Sequence, residues 1–120
     1  MSTKITGFIL RCEDRKRTAE FYAKLGLITN EHQHGGPLHF EVGPFAENPV
    51  AELYTKSTRF PKDAVMLEVD SIAAALAVAE EFGIEPKPEH GVFQGFFFYY
   101  ITDPDGRDVM LIEKEKSEKK

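Results

Sequence analysis

Matched residues recurring at one constant spacing constrain this chain more than any single motif. Gly7 falls on Ala64, Leu10 on Leu67, Cys12 on Val69 and Gly26 on Gly83, each pair 57 positions apart. Such a period means one supersecondary unit laid down twice. In the first copy, Ile5–Cys12 reads as a strand, with Phe8, Leu10 and Cys12 on one face and Ile5, Gly7, Ile9 and Arg11 on the other. Asp14 is placed to cap a helix whose Ala19, Tyr22 and Leu25 recur at helical spacing, with Phe21 beside them, and Gly26 stops it. Short strands follow at about 27–32, 38–43 and 50–56, separated by glycine- and proline-rich breaks. In the second copy, Ala64–Val69 is a strand, Asp70 or Ser71 caps a helix bearing Ile72, Leu76 and Ala79 on one side, Gly83 ends it and Ile84 begins the next strand. The expected class is α+β: tandem β-α-β-β-β modules at about 5–57 and 62–113 within one domain, 1–113, with 114–120 a charged tail.

The second copy closes on the densest local signal in the chain. Phe96–Ile101, all aromatic or β-branched, runs into Asp103-Pro104-Asp105-Gly106 and then Asp108–Glu113. Pro104 pre-sets φ in the turn, Asp103 can bond its own backbone, and Gly106 can take the left-handed conformation that closes a hairpin. Both faces of so apolar a strand need cover, one from helices and the other from a cleft or another chain. Parity does not choose between Phe96/Phe98/Tyr100 and Phe97/Tyr99/Ile101 as the set facing the cleft.

Gly95, the aromatic strand, Asp-Pro-Asp-Gly and the apolar strand ending in Glu113, together with the tandem repeat, resemble the vicinal oxygen chelate superfamily over residues 5 to 113. That group includes glyoxalase I enzymes, ring-cleaving dioxygenases and bleomycin-resistance proteins. The resemblance implies a curved, cup-shaped mixed sheet, the glyoxalase/bleomycin-resistance fold.

Metal-dependent members hold a divalent ion between the modules. Their ligands are His or Glu on the first strand of each module and Glu on the last, with open positions for vicinal substrate oxygens. Carried over residue by residue, the first-strand positions are Gly7 and Ala64, which have no donor, and the last-strand positions are Glu52, which matches, and Met110, whose thioether suits such an ion poorly. Glu113 lies on the opposite strand face and cannot replace it. The expectation is therefore no metal and no cofactor. His32 and His34, with His39 near Glu52, are a second chelating set, or His32–Gly36 is a polar hairpin loop, which is the preferred reading. His90 reads as a loop histidine, and Cys12, by parity, as core rather than nucleophile.

Without those ligands, the inner face carries His39, Glu41, Glu52, Tyr54, Met66 and Met110, joined by one aromatic set, Phe96, Phe98 and Tyr100. Gly7 and Ala64 are expected to leave room there. The first reading is a metal-independent pocket for an aromatic or cationic small molecule, in the manner of bleomycin-resistance proteins, with ring stacking and carboxylates facing a cation. Side chains that merely fill the interior or a dimer interface are the plainer alternative. The enzyme alternative is a lyase, isomerase or dioxygenase that uses Glu52 as base or a relocated divalent metal. A small interaction domain whose aromatic strand is covered by a partner is a third.

Composition narrows the partners. A net charge of −5 argues against nucleic acid and towards a neutral or cationic ligand. No apolar run has membrane-spanning length and Met1–Lys4 lacks a signal-peptide core. One cysteine excludes an internal disulfide, so a cytoplasmic location is expected. The resemblance implies a homodimer, and uncovered apolar surface on an open aromatic cup agrees with it.

Overall fold

The computed structural model describes residues 1–33, 38–43 and 49–115, with His32 described by its backbone alone. The elements run β1 (Thr3–Cys12), α1 (Arg15–Lys24), β2 (Thr29–His32), β3 (His39–Val42), β4 (Val50–Thr55), then β5 (Ala64–Val69), α2 (Ile72–Glu81), β6 (His90–Phe93), β7 (Phe96–Thr102) and β8 (Asp108–Lys114). All eight strands form one curved sheet in the order β2-β3-β4-β1-β5-β8-β7-β6. The two copies meet where β1 pairs antiparallel with β5, and each first strand pairs parallel with the last strand of its own copy. The class is α+β with the tandem β-α-β-β-β arrangement, the glyoxalase/bleomycin-resistance fold.

Both helices start where a short polar side chain replaces a missing helical acceptor. Asp14 accepts from the Arg17 amide and Ser71 from the Ala74 amide. Glu113 adds a second cap on α2, accepting from the Ile72 amide at 2.7 Å. It thus lies on the helix side, consistent with its parity. Gly26 and Gly83 follow the helices at positive φ. Burying α1 against β3 and β4 makes one core, with Cys12, Ala19, Val42 and Leu53. Burying α2 against β7 and β8 makes the other, with Val69, Ile72, Ala75, Val109 and Leu111. Cys12 is a buried free thiol in the first of these.

The β7–β8 hairpin forms as its residues dictate. The Asp103 carboxylate accepts from the Asp105 and Arg107 amides, and Gly106 sits at φ 88° with its amide on the Asp103 carbonyl. The Arg107 guanidinium reaches back to the same carboxylate, and these bonds hold Asp103 below the usual carboxylate range.

Four local expectations differ from the structure. Ile84 begins no strand: β6 starts only at His90, since Pro86 and Pro88 remove two amide donors from the intervening segment. That segment is tied instead by the Lys87 amide to the Tyr100 carbonyl and by the Tyr100 amide to the Glu89 carbonyl. Leu25 caps α1 and is exposed rather than buried. β8 runs through Lys114, one residue into the stretch read as tail, while residues 116–120 lie outside the described residues. Finally, the β1–β5 register shifts between Ile5 and Gly7. This bulge turns Ile5 to the helix side, opposite Leu67, and brings Thr6 to the concave side.

Candidate functional site

The concave face of the sheet encloses a cavity of about 600 Å³, within the usual range for a small-molecule site. Its floor is apolar: Ile9, Ala64 and Met66 are buried together, with Tyr54, Met110 and Ile112 packed against them. Register explains the grouping. Ile9 lies beside Glu52 across the parallel β1–β4 pair, and Met66 lies beside Met110 across β5–β8. Where the modules meet, the floor therefore presents hydrocarbon and thioether groups.

At Gly7 there is no room, contrary to the sequence expectation. A Cβ there would stand 2.3 Å from the Val50 carbonyl oxygen and 2.7 Å from the Met66 methyl. Gly7 is pressed from both sides, by its parallel partner Val50 on β4 and its antiparallel partner Met66 on β5. Ala64 is buried in the floor, and Met110 faces Tyr100 across β7–β8. Of the four usual ligand positions, only Glu52 carries a suitable donor, so these residues do not fit the metal centre usual for such a fold.

Tertiary structure settles the facing of β7. Tyr99 and Ile101 pack on the α2 core, whereas Phe98 and Tyr100 line the cavity opposite Ile112 and Met110. Phe96 shares the latter face but packs on Phe93 at the β6–β7 end, with ring centroids 6.3 Å apart, outside the cavity lining. Gly91 lets the Phe98 ring lie across β6, since a Cβ there would meet that ring at 3.1 Å. The aromatic wall is continued by Phe93, edge-on to Phe98, and by Phe60, tilted on Tyr100 at 5.1 Å. Burial pushes the Tyr100 phenol up to about 12.

The opposite wall is polar. His39 is buried at 1% exposure, and its ring stacks on Tyr54 at 4.5 Å and 15°. The Tyr54 hydroxyl donates to Glu52 Oε1 at 3.3 Å, and burial together with the Glu52 charge pushes that phenol far above its ordinary range. Glu41 pairs directly with Glu52 across β3–β4, and its carboxylate lies 3.6 Å from His39 Nε2. Donor atoms of His39, Glu41 and Glu52 all fall within 4.8 Å of one another. Glu41 itself does not reach the cavity lining, whereas His39, Glu52, Tyr54, Met66 and Met110 do. The Arg11 guanidinium lies over the Tyr54 and Phe60 rings, 4.9 Å from each centroid.

Several lining residues were not among the sequence candidates. Phe60 comes from the linker between the copies, where an aromatic flanked by Arg59 and Pro61 was the available signal. Arg59 and Glu89 form an ion pair at 3.0 Å at the cavity's edge. His90 opens β6 rather than sitting in a loop, and its ring stacks on Tyr99 at 4.8 Å. Of the other chelating set, His34 and the His32 side chain lie outside the described residues.

No protein-family model and no curated protein matches the chain. Solved structures do. A glyoxalase/bleomycin resistance protein/dioxygenase superfamily member from Vibrio splendidus matches with a TM-score of 0.65 at 13% identity, over 94% of this chain and 99% of that one. Methylmalonyl-CoA epimerase from Mycobacterium tuberculosis matches with 0.61 at 15%, over 92% and 85%. A catechol 2,3-dioxygenase matches with 0.64 at 13%, over 97% of this chain but 42% of the dioxygenase. At these identities the likeness is one of fold.

Proposed function

We propose that this chain, which has the fold of the glyoxalase/bleomycin resistance/dioxygenase superfamily, binds a planar aromatic or heterocyclic small molecule, preferably cationic, in the cup, without a metal ion bridging its modules. The observation that carries this reading is the facing of β7, which aims Phe98 and Tyr100 into a cavity also walled by Phe60 and Phe93. Flat rings stack on such a wall, while the Glu52 carboxylate opposite favours positive charge on the guest. Arg11, Tyr54 and the Arg59–Glu89 pair supply further polar contacts that orient the guest.

Proflavine, a planar cationic tricycle, tests the reading by fluorescence titration against anthracene-carboxylate, a planar anion. The cation is expected to bind at least about 10-fold more tightly, and Phe98→Ala to weaken it about 10-fold, the equivalent of about 1.4 kcal/mol lost with one ring contact. Equal affinity for both dyes, or a Phe98→Ala protein that binds like wild type, would contradict it.

The second reading, a lyase, isomerase or dioxygenase, is supported by Glu52 standing in an apolar cup with the Tyr54 hydroxyl on it. Turnover lost in Glu52→Gln would favour it.

A homodimer belongs to the same proposal. On the convex face between the two helices, Ile5 is 50% and Phe8 39% exposed, and Phe8 pairs with Val65 and Ala51, whose neighbours are core. A second copy covering that stripe removes apolar surface from water. Sedimentation equilibrium at micromolar concentration is expected to give a dimer, with Phe8→Lys shifting it to monomer; a monomeric wild type refutes this part.

A further inference from the structure

We propose that His39, Glu41 and Glu52 bind one divalent transition-metal ion on the polar wall of the cup, within the first module alone. The usual positions of this fold draw ligands from both modules; here Gly7 has no room for a side chain, Ala64 carries no donor and Met110 offers only a thioether. The trio described here uses two adjacent strands, β3 and β4.

Three features of the chain converge on that cation. Glu41 and Glu52 stand directly opposite each other in an antiparallel pair, both partly buried, an arrangement in which like charges repel. Two carboxylates and an imidazole make a mixed oxygen and nitrogen donor set, which suits zinc, manganese, iron or nickel. One spacing already matches an ion, and all three donors lie within 4.8 Å of one another. Bonds of about 2.0–2.2 Å put two ligand atoms of one tetrahedral ion about 3.4 Å apart, and His39 Nε2 lies 3.6 Å from Glu41 Oε2.

Tyr54 prepares both ends of the set. Its ring holds the His39 imidazole by stacking, and its hydroxyl donates to Glu52. It is a positioning residue, since it acts on the metal only through those two ligands. The three donors leave coordination positions open, and His39 and Glu52 both line the cavity, so an ion here is reachable by a guest in the cup. An organic ammonium would pair with the same carboxylates, but the 3.6 Å between His39 Nε2 and Glu41 Oε2 matches two ligand atoms of one small ion. The metal is the source favoured by the geometry.

Metal content decides. The full chain, purified without chelator and dialysed against Zn²⁺, Mn²⁺, Ni²⁺ or Co²⁺, is expected to retain about one ion per chain by elemental analysis, as a single three-ligand site would. Co²⁺ should give visible d–d bands. Glu41→Gln and Glu52→Gln keep the side-chain volume, and circular dichroism confirms that each variant folds. Both are expected to weaken binding more than about 100-fold, beyond the 10–100-fold usual for an outer partner, with Tyr54→Phe falling inside that range. No retained ion, or content unchanged in the glutamine variants, overturns the proposal. Proflavine affinity separates this result from the binding reading. If no metal binds while Glu52→Gln still weakens the dye, the cation is organic and the metal site is refuted. If the ion binds and is lost in the variants while Phe98→Ala leaves dye binding intact, the metal site stands and the aromatic reading falls.

Discussion

Gly7→Ala is expected to destabilise the fold by about 3 kcal/mol, the upper end for overpacking a filled interior, and Gly7→His by more. The added Cβ lands 2.3 Å from the Val50 carbonyl oxygen, a backbone atom of the neighbouring parallel strand. The Met66 methyl, at 2.7 Å, can swing aside, but the carbonyl cannot move without shifting β4. Bulge and parallel pairing act on the same residue, so relief on one side tightens the other. Against a total stability of about 5–15 kcal/mol for a domain, placing a His or Glu at this position would take a large share of the stability. Urea melts of wild type and Gly7→Ala read the difference directly. A midpoint shift equivalent to less than about 1 kcal/mol would show that β1 and β4 separate easily, and the usual metal geometry would again be accessible.

Lys87→Met is expected to cost about 2 kcal/mol, the level for leaving a buried polar group without its partner, since the lysine itself is 26% exposed. Asp108 opens β8 with its side chain only 3% exposed, and Lys87 Nζ lies 3.0 Å from its Oδ1. The lysine is delivered there by the segment between α2 and β6, whose amide at Lys87 bonds the Tyr100 carbonyl. Without the ammonium, the Asp108 carboxylate loses the cation that faces its charge, next to Ala64 and Thr102 on the adjoining strands. Asp108→Asn on top of Lys87→Met removes that charge and should recover at least half of the loss. A single variant within about 0.5 kcal/mol of wild type, the range of an ordinary surface substitution, would mean that water reaches Asp108. Because the Lys87 segment is tied to Tyr100 through its amide, the single variant should also loosen the aromatic wall and weaken proflavine.

Much of the architecture was legible because its causes are local. Helix starts at Asp14 and at Asp70 or Ser71 (the structure selects Ser71), the stops at Gly26 and Gly83 and the turn at Asp103–Gly106 each depend on a few neighbouring residues and their backbone preferences. Strand alternation placed Ile9, Glu52, Met66 and Met110 on one face because side chains alternate with period two. The 57-residue repeat carried the order of elements, and with it the tandem fold.

The site was less legible, because it depends on pairing between distant residues. Nothing near Ile5 announces the bulge that turns it to the helix side, and nothing near Gly7 announces its close approach to Val50 and Met66; both come from pairing with β5 and β4. Phe98 and Phe97 are equivalent by alternation, and only packing of Tyr99 and Ile101 on α2 sends Phe98 into the cup. Phe60 joins the wall because a linker with no strand pattern folds over Tyr100. His39, Glu41 and Glu52 meet only once β3 and β4 are paired in register. By itself the sequence determined the elements, their order and the tandem fold, since backbone preference and alternation act over a few residues. The tertiary structure decided which groups share the cup, since inter-strand register is chosen by the packing of the whole sheet.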